Sequence, residues 1–551
     1  MAPVVGPAAT LAGMAHTPSS MPLIPAEAAA SAATTPPDSL TPGLQHRYAS
    51  LLPELCIPWQ PARVPQPALA VFNHALAREL GWPAEAFDSP AGAELLAGNT
   101  VPPEAQPVAQ GYAGHQFGGY SPQLGDGRAL LLGEVCDAAG RLRDVAFKGS
   151  GRTPFSRGGD GKAALGPMLR EYLVSEAMHA LGVPTTRSLA VATTGERIRR
   201  DHGPQPGAVL TRVAASHIRV GTFQWVAGQD DEALLRRLAD VTLARHCPAL
   251  APAVDSATAP GQPTTPTPGA NYLAMLAAVC ERQAQLVAQW MGLGFIHGVM
   301  NTDNMLICGE TIDYGLCAFM DAFNAEQVYS SIDHNGRYAY RSQPGIAHWN
   351  LSCLAQALLP LLDEDPERAV ALAQQAIDAY PEQFLRANSQ GIARKLGLRE
   401  PGLEESAEQD TALVEDLWQL MAEHRLDFTL AFRRLADLAH ERTDNEQSVA
   451  NLFEFPEALH PWLERWRLRM TQETNTSEER QALMYRANPV FIPRNHLVEA
   501  AIAAATDSND LSVFHQLVEV LANPWEYRSE LALYATPPKP EQVVQQTFCG
   551  T

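Results

Sequence analysis

The chain has 551 residues, which allows roughly three or four domains of ordinary size, or one large domain with extensions. With 61 acidic against 40 basic residues its net charge is −21, which argues against a general binder of nucleic acid or anionic membrane, because both depend on counterion-releasing basic surface. Eight scattered cysteines without a CxxC rule out a disulfide scaffold and give no zinc spacing, and no apolar run approaches the ~18–20 residues of a membrane span.

From the N-terminus, residues 1–44 read as a disordered tail. Through residue 42 they are mostly Ala, Pro, Ser and Thr, with Glu27 and Asp38 as the acids and no Phe, Trp or Tyr, so they cannot bury enough apolar surface to order themselves. The first 46 residues contain no Lys or Arg. That argues against a signal peptide and an Arg-rich presequence, and a reducing cytoplasm is the expected location. Between 111 and 220 the sequence is punctuated by glycine. Residues 129–135 and 143–148 predict strands about a turn at 137–140, and 188–193 and 208–213 predict two more. Leu165, Met168, Leu169, Tyr172, Leu173, Met178 and Leu181 recur at helical spacing and predict a helix over 165–182. From Leu234 onward helical pattern dominates. Leu273, Leu276, Cys280, Ala284, Val287 and Met291 make one stripe on a helix over 272–291. Upstream of it, 251–270 is rich in Pro, Thr and Ala and reads as a disordered insertion. The coarse picture is a β-rich first half and a helical second half.

Charge is unevenly spread. Residues 141–220 carry 13 basic and 6 acidic side chains, a net charge of +7, so the remainder carries −28. A basic segment in an acidic chain points to a local anionic ligand. Four motifs agree with that. Gly125-Asp-Gly-Arg128 precedes a strand, where glycines let backbone N–H groups approach phosphate oxygens and Arg128 adds a charge. Val145-Ala-Phe-Lys148 reads like the V-A-I-K strand of protein kinases, whose Lys grips nucleotide phosphates. The chain has only four lysines, and Glu171, on the predicted helix, is positioned to pair with Lys148. In HGVMNTDNMLICGETIDYG (297–315), His297 and Asn304 keep the spacing of a kinase H-R-D-x-x-x-x-N, and Asp313-Tyr-Gly315 stands for D-F-G. Asn304 and Asp313 supply oxygen ligands for a hard divalent cation, and Asp303 is a spare carboxylate fit to act as a base. Arg212 and Arg219 add guanidinium groups suited to phosphate. Val299, however, stands where a kinase has its catalytic Asp. Either the protein binds ATP without turning it over, or it uses ATP in another geometry.

The segments GYAGHQFGGYSPQLGDGRALLLGE (111–134), FKGSGRTPFSRGGDGKAALGPMLREYLVSEAMHALGVPTTRSLA (147–190), TRVAASHIRVGTFQ (211–224) and GFIHGVMNTDNM…TIDYG (294–315) together resemble the selenoprotein O family of kinase-like protein adenylyltransferases. The resemblance spans about 45–551. It implies an α+β, protein-kinase-like bilobal fold: a nucleotide-binding, β-rich N-lobe with its extension over 45–235, a helical catalytic lobe over 236–400, and a helical C-terminal extension with a Cys-containing tail over 401–551. It implies ATP as substrate in a flipped orientation, Mg²⁺ or Mn²⁺, and transfer of AMP to protein hydroxyls, with no nucleic-acid or membrane partner. By the same resemblance Asp303 is the proton acceptor and Asn304 and Asp313 the metal ligands. Gly125, Gly127, Arg128, Lys148, Asp160, Gly161, Glu171, Arg212 and Arg219 are the nucleotide-side residues. A non-catalytic ATP-binding pseudokinase is the alternative, and a conventional phosphotransferase is disfavoured by Val299. Some family members carry selenocysteine third from the C-terminus, where this chain has Cys549. A tail thiol there can act in redox regulation, but no cysteine lies between 318 and 352, where a partner would be expected.

Overall fold

The computed structural model describes residues 40–200, 203–250, 268–398, 407–440 and 446–548. The predicted tail through residue 39, the insertion over 251–267 and Cys549 lie outside the described residues. Leu40 and Leu44, counted with the tail in the sequence reading, are buried against Trp82 and Phe87.

Among the described residues twelve strands form: β1 Cys56–Pro58, β2 Ala68–Phe72, β3 Val108–Gln110, β4 Gly114–Gln116, β5 Gly119–Ser121, β6 Ala129–Cys136, β7 Leu142–Lys148, β8 Ala163–Ala164, β9 Arg187–Arg200, β10 Gly203–Ala214, β11 Phe295–Ile296 and β12 Ala318–Phe319. Eight of them make an antiparallel sheet in the order β1-β3-β6-β7-β10-β9-β2, with β8 also on β10. The β6–β7 turn is built by Asp137, whose carboxylate accepts the amides of Ala139 and Arg141 at 3.0 and 2.8 Å.

Period-2 alternation sorts the side chains of the sheet between two cores. Val145, Phe147, Val209 and Val213 enter one, with Leu76, Trp82, Phe87 and Leu95 of short N-terminal helices. Leu131, Ala208 and Leu210 enter the other, against the helix α1, Leu165–Ala180. Helix α1 is buried on nearly all sides, because a C-terminal helix, Ser512–Leu521, closes its far face. Tyr172 lies 6.0 Å from Phe514, ring to ring.

The second half is helical. The long helix Pro268–Leu293 buries the stripe from Leu276 to Met291 and packs with Gln343–Leu362 and Tyr380–Leu396. Below it, Arg494 is fully buried. It donates to Asp427 at 2.6 Å, to Asp321 at 2.9 Å and to the carbonyl of Ala535 at 2.9 Å, tying the loop after Asp313 to the C-terminal helices. The architecture is mixed: among the described residues, one eight-stranded antiparallel sheet, the two-stranded pairs β4–β5 and β11–β12, and many helices. Among the described residues no helix is long and apolar enough to cross a membrane.

Candidate functional site

A cleft of about 440 Å³ opens between the sheet and the helical half, within the size range of small-molecule sites. Of the twelve residues singled out from sequence, ten line it: Gly125, Gly127, Arg128, Lys148, Asp160, Gly161, Arg219, Asp303, Asn304 and Asp313. Glu171 and Arg212 do not; they stand behind Lys148 and Asp313. Six cations and three carboxylates line the cleft, so its wall is positive although the chain is strongly negative. That balance suits a polyanion the size of a triphosphate.

The charges interlock. In the register of the sheet Lys148 faces Leu210 and Arg212 faces Ala146, which puts Lys148 and Arg212 on one face as diagonal neighbours. Glu171 of α1 rises between them. Its carboxylate accepts from Lys148 Nζ at 2.6 Å and from Arg212 Nε at 2.9 Å. Asp313 closes the quartet from the other half of the molecule, contacting Lys148 Nζ and, at 3.3 Å, Arg212 Nη2. Burial opposes ionisation of Asp313, but Lys148, Arg212 and Arg128 outweigh it and hold the carboxyl well below the usual range. Burial likewise opposes ionisation of Glu171, and Arg212 and Lys148 reverse it. Asp313 sits at φ +71°, a left-handed conformation rare outside glycine. It is fixed by its neighbours: Tyr314 is fully buried with its hydroxyl on Thr185, and His297 Nε2 bonds the carbonyl of Ile312 at 2.8 Å.

Opposite the quartet lies the short turn Thr302–Asn304. Arg219 holds it from beneath, donating to the backbone carbonyl of Asp303 at 2.7 Å while its guanidinium lies 4.4 Å from the Tyr112 ring centre and 3.8 Å from Asp126. The Asp303 carboxylate accepts from Gln116 Nε2 at 3.2 Å through Oδ2; Oδ1 is buried without a partner. Burial pushes this carboxyl up to about 6, against the pull of Arg219. Asn304 donates through Nδ2 to the carbonyl of Val299 at 3.1 Å, leaving Oδ1 as its free end.

The glycine loop is clamped from above. Gly125 has φ +79°, and a Cβ there would lie 2.4 Å from the Phe155 ring, so only glycine fits. Thr153 and Ser156 donate their hydroxyls to the carbonyls of Asp126 and Gly127. Asp160 forms a two-pronged pair with Arg200 at 2.9 and 3.2 Å, which anchors the loop carrying Gly161 to the end of the β9–β10 ribbon.

Asn304 Oδ1 and the ionised Asp313 are hard oxygen donors on the wall of one cleft, a fit for Mg²⁺ or Mn²⁺. Among the described residues no group of three or more His, Cys, Asp or Glu side chains gathers to hold a metal unaided. Mg²⁺ is commonly held by one or two protein oxygens together with substrate phosphates.

Sequence reasoning missed the hairpin β4–β5, which brings Gln116 and Phe117 to the cleft, and the loop that brings Ile332. The paired glycines of Phe117-Gly118-Gly119 were the available signal for the hairpin. Also missed was a strap from the far end of the chain. Thr547 donates its amide to Tyr329 O at 2.7 Å and its hydroxyl to Leu316 O at 2.7 Å, and accepts from the amide of Ser331 at 3.1 Å. Leu316 and Ile332 both line the cleft.

A family model described as protein adenylyltransferase SelO matches residues 40–522. The chain is 52% identical over 507 residues to the protein nucleotidyltransferase YdiU of Bradyrhizobium diazoefficiens, covering 92% of this chain and 99% of that one. It is similar to the proteins of the same name from Rhodopseudomonas palustris strain HaA2 and Rhizobium meliloti, each 52% identical over 504 residues, 92% of this chain and 98% of theirs.

Proposed function

The chain belongs to the SelO family of protein adenylyltransferases, and on that premise we propose that it transfers AMP from ATP to side-chain hydroxyls of proteins at this cleft. In this reading the sheet and the helical half are the two lobes of a protein-kinase-like fold. The acceptor oxygen attacks the α-phosphorus of ATP, the bond between α- and β-phosphates breaks, pyrophosphate leaves, and the acceptor proton passes to Asp303. Lys148, Arg128 and Arg219 bind the phosphate oxygens and stabilise the charge that develops on them. Glu171 and Arg212 act at one remove, holding Lys148 extended and Asp313 ionised. Asn304 and Asp313 would hold a divalent cation, which would supply positive charge against the phosphates.

The observation that carries this reading is Asp303, a carboxylate that lines the cleft and whose Oδ1 is buried without a hydrogen-bond partner. Leaving it unpaired is costly, and a protein that only held nucleotide would have no use for it. The test is ATP labelled at either the α- or the γ-phosphate, incubated with the enzyme and protein. Transfer from α alone is expected, and Asp303→Asn should abolish it while nucleotide binding persists. Label from γ, or full activity in Asp303→Asn, refutes the reading.

A further inference from the structure

The hairpin β4–β5 turns on Phe117 and Gly118, with φ of +52° and +86°, and Gln116 faces Gly119 across the turn. This is a two-residue type I′ turn, whose first position belongs by preference to Asn, Asp or Gly; a phenylalanine there crowds its own Cβ. The conformation is enforced from outside. The Phe117 amide donates to Asn301 Oδ1 and to Tyr338 Oη, each at 3.2 Å. What the chain obtains is an aromatic ring at the tip, 38% exposed, on the cleft wall. Strain of this kind persists where function retains it.

The hairpin is keyed to the segment that carries Asp303. His115 N donates to Thr302 Oγ1 at 2.7 Å, Gln116 Nε2 to Asp303 Oδ2 at 3.2 Å, and Phe117 N to Asn301 Oδ1. Three successive hairpin residues thus grip the three successive residues 301–303. The loop after Asp313 is tied to the same point, since Tyr338 Oη donates to Asn301 Oδ1 at 2.6 Å. The Asp333 carboxylate accepts the amides of Arg337 and Tyr338 at 3.0 and 2.8 Å, folding that loop so that the neighbouring Ile332 reaches the cleft while 49% exposed. Two large apolar side chains are therefore left half in water on the wall of the cleft that Asp303 also lines. Nucleotide phosphates give them nothing to bind.

Resting on the adenylyltransferase reading above, we propose that Phe117 and Ile332 form the acceptor wall of the cleft. They seat an extended segment of the substrate protein and select an apolar residue beside the hydroxyl that is modified. The occupant is extended because Asp303 is only 8% exposed, so its acceptor must enter on a side chain free of a surrounding fold. Gln116 is a positioning residue, orienting the Asp303 carboxylate from the acceptor side. Apolar contact discriminates among segments by the area it removes from water, while the cations of the cleft serve the nucleotide.

The test uses the full chain, α-labelled ATP and arrayed peptides, each with one Ser, Thr or Tyr between randomised flanks. The wild type is expected to prefer peptides with an apolar residue adjacent to the hydroxyl. Phe117→Asn is the decisive variant. Asn-Gly is the favoured type I′ pair, so the thermal midpoint should hold or rise, yet KM for the preferred peptides should rise about tenfold, the loss of one good apolar contact. Kd for ATP should stay within twofold, and Ile332→Ser should erode the same preference. Unchanged peptide selection in both variants overturns the wall. Weaker ATP binding with unchanged selection assigns the ring to the nucleotide and overturns it too. Labelling of folded proteins but of no peptide overturns the extended occupant, whereas no α-label transfer to any acceptor overturns the underlying activity instead.

Discussion

The quartet of Lys148, Glu171, Arg212 and Asp313 contains two cations and two anions, and all but Asp313 are almost wholly buried. Its charges cancel. Glu171→Gln keeps the shape but leaves a net positive charge between sheet and helix; Lys148→Met leaves a net negative one. At the 2.6 Å contact between Lys148 and Glu171 the attraction is about 6 kcal/mol with an effective dielectric near 20. Breaking one partner of such a buried pair costs about 3–5 kcal/mol net. Each single variant should therefore lose that much stability, measured by urea unfolding followed by tryptophan fluorescence. The double variant restores neutrality with Arg212 and Asp313 still paired, so it should lose at least about 2 kcal/mol less than the sum of the singles. Additive losses, or singles that cost under 1 kcal/mol, would refute the coupled quartet. Activity provides an independent readout: all three variants should transfer label poorly, because each disturbs Lys148 or the hold on Asp313.

Asp313→Ala should abolish metal-dependent transfer, by a hundredfold or more, while nucleotide binding in chelator, followed by calorimetry, is retained; a fully active variant removes Asp313 from the metal site. Burial pushes the Glu310 carboxyl up to about 7. Its folded form binds a proton more tightly than the unfolded chain does, so its contribution to stability is present at low pH and is lost as pH rises from about 4.5 to 7. Glu310→Gln should remove up to one proton's worth of that slope, about 1.4 kcal/mol per pH unit, in unfolding measured across the window. Deleting the chain from Pro540 onward should lower transfer at least tenfold with a shift of only a few degrees in the thermal midpoint, because it releases the loop over 316–332 without opening a core.

Some features could be read from residues near one another in sequence. Strands β6 and β7 announce themselves by alternation, and His297, Asn304 and Asp313 by spacing, because a single loop carries them. Lys148 and Glu171 lie on adjacent elements and pair as expected. The contact of Arg212 with Asp313 was beyond such reading, since the two lie 101 residues apart. The same is true of the burial of α1, whose apolar stripe is legible but whose closure by Ser512–Leu521 depends on chain more than three hundred residues distant. The β4–β5 hairpin escaped because Phe117 contradicts local turn preference. The contacts that override it, from Asn301 and Tyr338, are tertiary. The far end of the β9–β10 ribbon was missed because Ile198 is the one apolar residue among Arg197, Arg199 and Arg200, too little for alternation to show.

Thr547 has a further consequence, in time rather than in space. It is translated after every other residue of the site, yet it clasps Leu316, Tyr329 and Ser331 together. While the chain is still growing, the nucleotide side of the cleft can assemble, but the wall beside Asp303 lacks its last fastening. The segment over 316–331 thus has its full set of bonds only when the residues around Thr547 have folded back onto it.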